Sequence, residues 1–120
     1  MVRVLVTGSR DWESHYAISY ALNYIEVEHR GESHTLVSGA CPTGADFIAE
    51  LVAKDLGWEV ERHPADWKSL GKKAGFVRNA EMVDLGADIC VAFIKDQSKG
   101  ATMTADLAEK KGIKTLRYKI

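Results

Sequence analysis

The sequence predicts an α/β domain: a Rossmann-like, three-layer αβα arrangement around an open, mostly parallel sheet of about five strands. Three observations predict it. Short β-branched runs alternate with segments of helical periodicity along the whole chain. The runs Val2–Val6 and Ile89–Ile94 are apolar almost throughout, as strands covered on both faces are. Strict strand–helix alternation implies βαβ units with right-handed crossovers, which place helices on both sides of a parallel sheet.

The elements follow in order. Val2–Val6 is the first strand and stops at Thr7-Gly8-Ser9-Arg10. From Ser14 to about His29, Ile18, Ala21, Leu22 and Ile25 recur at helical spacing. Thr35–Val37 is a short strand running into Ser38-Gly39 and then Thr43-Gly44. A helix from about Ala45 to Leu56 turns Ile48, Leu51 and Val52 inward, and Gly57 ends it. Trp58–Arg62 is the third strand, and His63–Gly75 reads as a long loop. A helix from Phe76 to Leu85, a strand from Asp88 to Ile94, a helix from Ala101 to Lys111 and a strand from Ile113 to Tyr118 complete the chain. The 120 residues, 46% of them apolar, form one domain over positions 1–120.

Composition excludes several classes. A net charge of −1 gives no domain-wide footprint for nucleic acid. The two cysteines, Cys41 and Cys90, and the four histidines show no metal-ligand spacing, so no metal and no cofactor are expected. Cys90 lies inside an apolar run and reads as a small buried hydrophobe. No apolar stretch reaches the length of a membrane span and no signal-peptide pattern is present, so no membrane partner is expected and the cytoplasm is the default location. The chain has no GxGxxG, no GxxxxGK[ST] and no GxSxG, which argues against a dinucleotide dehydrogenase, a P-loop NTPase and an elbow-type hydrolase.

The chemistry gathers after the strands. Gly8, Ser9 and Arg10 follow the first. Ser38 and Gly39 follow the second, with Thr43, Gly44 and Asp46 opening the next helix. Asp66, Trp67, Lys72, Arg78 and Asn79 follow the third, and Gly100 and Thr102 the fourth. In an open α/β sheet all of these lie at one rim, where ligands bind. Glycine lets a phosphate approach backbone N–H groups, helix N-termini supply unpaired N–H groups, and Arg and Lys add charge-assisted bonds.

Together these residues resemble the SLOG superfamily, in its YspA/YpsA-related branch. The resemblance runs through Gly8-Ser9-Arg10, Ser38-Gly39, Gly44-Ala45-Asp46, Pro64-Ala65-Asp66-Trp67, Gly71-Lys72, Ala74-Gly75, Arg78-Asn79 and the Gly100 region. It implies a Rossmann-like fold that binds a nucleotide or nucleotide-derived small molecule. Related branches include the Lonely Guy phosphoribohydrolases and the DNA-processing protein A family. Two departures stand out. Cys41-Pro42-Thr43 stretches the glycine-rich turn after the second strand. The Lonely Guy motif Gly-Gly-x-Gly-Thr-x-x-Glu meets Lys99-Gly100-Ala101-Thr102 here, with Ala105 at the glutamate position and Asp106 one step further round the helix.

The leading expectation is a nucleotide-binding domain that senses or processes its ligand. The alternative is an N-glycosidic hydrolase of the phosphoribohydrolase kind. Arg78 would clamp the anion, and Asp66, Asp106 or Asp46 would stabilise charge developing on the ribose. A single-stranded nucleic-acid module, built on Lys68, Lys72, Lys73 and Arg78 flanked by Trp67 and Phe76 as rings for stacking on bases, is less favoured, because the overall balance is acidic and Phe76 is expected to pack in the core. Tyr16, Tyr20 and Tyr24 form one helical stripe, either a contact for a homo-oligomer or packing against the sheet edge.

Overall fold

Five parallel strands set the frame of the computed structural model, which describes residues 1–120. They are β1 (Val2–Gly8), β2 (His34–Ser38), β3 (Glu59–Arg62), β4 (Ile89–Ile94) and β5 (Lys114–Lys119), in the order β3-β2-β1-β4-β5. Register is fixed at the centre by Val4 opposite Ile89 and Gly8 opposite Phe93, and by Val2 opposite His34 on the other side of β1. Five helices connect the strands: α1 (His15–Glu28), α2 (Gly44–Asp55), α3 (Trp67–Leu70), α4 (Ala74–Leu85) and α5 (Lys99–Lys110).

Successive side chains of a strand point to opposite faces, so β1 and β4 feed two cores. Val2, Val4, Val6, Val91 and Phe93 meet Ile18, Leu22 and Ile25 of α1 and Ala49 and Val52 of α2. On the other face Leu5, Val37 and Cys90 meet Met82 and Val83 of α4 and Ala108 of α5. Ala92 and Ile94 meet Ala101 and Ala105. The result is three layers. α5 buries alanines and Thr104 rather than large side chains, and small residues let a helix lie close to the strands. Phe93 is fully buried between Trp12, at 5.4 Å, and Tyr118, at 5.3 Å. Truncating such a side chain to alanine costs about 3–5 kcal/mol.

Several sequence expectations are corrected. The stretch 63–75 is not a plain loop: it holds α3 and a 3₁₀ turn at Gly71–Lys73. Asp66 makes α3 possible, its carboxylate accepting the Ser69 amide at 3.1 Å. α4 and α5 each begin two residues earlier than the periodicity placed them. Leu51 is not inward but 42% exposed, because α2 turns Ala49, Val52 and Ala53 to the sheet. Phe76 does not pack in the core; it is 45% exposed. Tyr16, Tyr20 and Tyr24 are all exposed on α1. Both cysteines are free thiols. No helix is long and apolar enough to cross a membrane.

β1 is the switch point. From it the chain winds outward through β2 to β3, and then starts again on its other side with β4 and β5. The loops after β1 and β4 therefore separate and leave a crevice beyond the strand ends.

Candidate functional site

That crevice encloses about 470 Å³, within the range of small-molecule sites. Its floor is the end of β1, with Gly8 and Ser9. Asp46, Arg78, Asn79 and Met82 line one side, and Ser98, Gly100 and Ala101 another. Arg10, Trp67, Lys72, Gly75 and Phe76 complete the rim.

Arg78 is the most constrained of these groups. It is 8% exposed, on the inner face of α4. Its Nε donates to Asn79 Oδ1 at 2.7 Å. Its Nη1 donates to the Gly39 carbonyl and, at 3.4 Å, to the His63 carbonyl. Nη2 donates to nothing in the chain. Arg78 does not pair with Glu81 or Asp84, the carboxylates of its own helix. Because Asn79 Oδ1 is taken by Arg78, its Nδ2 is left over, 4.0 Å from where a Cβ on Gly100 would stand.

The N-terminus of α5 reaches the same space. Ser98 gives it no side-chain cap. The first amide with a helical partner is that of Thr102, which donates to the Ser98 carbonyl at 3.0 Å. The amides of Lys99, Gly100 and Ala101 have no acceptor in the chain. These N–H groups, Asn79 Nδ2 and Arg78 Nη2 are the donors the site offers to an anion.

Asp46 stands opposite in character. Burial pushes its carboxyl up to about 6, against the pull of nearby Arg78 and the Cys41 amide. Its Oδ2 accepts that amide at 3.4 Å. The group thus holds its proton to a higher pH than a solvent-exposed carboxyl does.

Several glycines and hydroxyls singled out in the sequence are used by the protein itself. A Cβ on Gly8 would stand 2.4 Å from Ala45 Cβ, so this glycine seats α2 on β1. One on Gly39 would stand 2.8 Å from Arg78 Cζ, so this glycine admits the guanidinium. Gly44 has φ +74° and would meet the Ser9 and Arg10 carbonyls at 2.4 Å. Those carbonyls accept from the Ala45 amide, at 3.1 Å, and the Thr43 hydroxyl, at 3.0 Å. The turn after β1 therefore sits over the start of α2. Ser9 Oγ accepts the Lys95 amide at 2.9 Å, and Ser38 Oγ donates to Glu50 at 2.7 Å.

The structure brings Gly8, Ser9, Arg10, Asp46, Arg78, Asn79 and Gly100 to one crevice. Gly39 and Thr43 line an adjoining hollow that shares Arg10, Cys41, Trp67 and Arg78 with it. Ser38, Gly44, Asp66, Thr102 and Asp106 do not line the crevice. Asp66 caps α3. Thr102 and Asp106 line a shallower hollow between α5 and β5, where Asp106 pairs with Arg117 at 2.7 Å. The crevice also includes Trp67, Lys72, Gly75 and Phe76. Trp67 and Phe76 carry a signal in the sequence: large aromatics flanking a Gly-Lys-Lys-Ala-Gly stretch with no apolar periodicity of its own.

The molecule is a Rossmann-like α/β domain with a donor-rich crevice at its topological switch point. Residues 2–69 match the family model described as YAcAr, the YspA, cpYpsA-related SLOG family, and the chain belongs to that family. It is similar to the Gene 61 protein of Mycobacterium phage D29, with 40% identity over 123 residues, covering 98% of this chain and 97% of the relative. No solved structure matches the chain significantly.

Proposed function

We propose that the crevice binds a nucleotide or nucleotide-derived anion, with its phosphate held between the start of α5, Asn79 and Arg78. The observation that carries this reading is the Arg78 guanidinium. It is nine-tenths buried, held by two main-chain carbonyls and an amide oxygen, and keeps an Nη2 with no acceptor in the chain, on a side chain that lines the crevice. A permanent charge kept indoors with a spare donor suits an anionic ligand. Family membership supports the same reading.

Isothermal titration against nucleoside mono-, di- and triphosphates, ADP-ribose and NAD tests it. At least one should bind with Kd below about 1 mM. Lys72 is exposed at the rim, so Lys72→Ala should keep the fold and weaken binding by up to about 5-fold. Absence of binding across the panel would remove the proposal.

A hydrolytic reading rests on Asp46. Asp66 and Asp106 stand outside the crevice, whereas Asp46 lines it with a carboxyl near 6, suited to moving a proton at neutral pH. Release of free base from AMP, abolished in Asp46→Asn, would support it. Release unaffected by that substitution would exclude this mechanism.

A further inference from the structure

Of the three tryptophans, Trp12 and Trp58 are buried, at 3% and 7% exposure, while Trp67 is 47% exposed. Burial in the core accounts for the first two. It does not account for an indole held at the rim of a crevice, where it leaves apolar surface in water. Phe76, 45% exposed, lines the same wall. Gly75 stands between them. A Cβ there would lie 3.4 Å from the Trp67 ring and 3.7 Å from Arg10 Nη2, so the missing side chain leaves room beside the indole.

The indole is also oriented. The Arg10 guanidinium lies 4.8 Å from its ring centroid, a cation–π contact between the turn after β1 and α3. Asp66 caps α3, the short helix that carries Trp67. The crevice is therefore two-sided in chemistry: unpartnered N–H donors at α5 and α4, and exposed aromatic rings at α3 and the start of α4. A phosphate or a sugar phosphate would use the first side and leave the second empty.

We infer that Trp67, with Phe76 beside it, is the platform on which the aromatic base of a nucleotide stacks, so that base-bearing phosphates are distinguished from sugar phosphates and inorganic anions. This rests on the anion site proposed above and names what the rest of the crevice recognises. A planar base is the occupant that matches exposed rings next to a phosphate site. Stacking tolerates any base, because every base offers a π-face.

The test compares pyrophosphate, ribose 5-phosphate and AMP on the native chain, on Trp67→Leu and on Trp67→Phe. AMP should bind more tightly than ribose 5-phosphate to the native protein. Trp67→Leu should weaken AMP by about 5- to 150-fold, the range for loss of one stacked aromatic. The same change should leave pyrophosphate and ribose 5-phosphate within about 2-fold, and Trp67→Phe should restore most of the AMP affinity. AMP should also quench native tryptophan emission, a response lost in Trp67→Leu. Equal affinities for AMP and ribose 5-phosphate, or an equal loss of all three ligands in Trp67→Leu, would overturn the base platform and leave the anion site standing. Failure of all three to bind would overturn the base platform, and absence of binding across the wider panel above would overturn the anion site as well. Unchanged far-ultraviolet circular dichroism and thermal midpoint establish that the variants fold.

Discussion

Asp46 holds its proton in the native state to a pH where the unfolded chain has lost it. Between about pH 4 and 6 the folded form binds more protons than the unfolded form, so stability falls as pH rises through that window and stays lower above it. Removing the charge should reverse this. Asp46→Asn is expected to raise stability at pH 7 by up to about 3 kcal/mol and to flatten the decline between pH 4 and 6, read by denaturant unfolding across pH. The glycines divide in the same experiment. Gly8→Ala drives a Cβ into Ala45 and the Phe93 carbonyl and should destabilise by about 1–3 kcal/mol. Gly100→Ala meets nothing nearer than 4.0 Å and should cost no stability. From sequence the two bends looked alike, as small residues suited to a phosphate. Whether a glycine faces a ligand or a neighbouring helix depends on packing between α2 and β1, which one-dimensional spacing does not contain.

At the scale of elements, the strongly periodic pieces were legible and the short one was not. α1 and the β4 run announce themselves because their apolar positions repeat over several turns or fill a strand. α3 has four residues, none buried, so no periodicity can form. Its trace in the sequence is the cap, Asp66 three residues before Ser69. Asp66→Ala should therefore loosen α3 locally by about 1 kcal/mol. The expected sign is faster amide exchange at Ser69 and Leu70 with little change in the global midpoint. Asp106 illustrates a further limit. Its helical phase excludes the Lonely Guy glutamate position, but its pairing with Arg117 of β5 depends on the sheet order.

For the whole molecule, the sheet order was only partly legible. Alternation gives a parallel sheet, whereas the place of β1 between β2 and β4 follows from the direction in which each right-handed crossover moves along the sheet. That place decides where the crevice lies. A ligand bound there touches the ends of β1 and the helices α4 and α5, and so couples to global unfolding. At 100 times its Kd it should add about 2.7 kcal/mol and raise Tm by about 10 °C for a chain of this size, measured by scanning calorimetry. The two thiols have a practical consequence. Cys90 is locked in the middle of the sheet with its thiol pushed up to about 12, while Cys41 borders the crevice and is partly accessible. The native chain thus carries a ready-made anchor for a maleimide dye at position 41, with no engineering of competing cysteines. A fluorophore installed there would sense occupancy at the mouth, and a bound nucleotide would shield the unlabelled sulfur from the reagent.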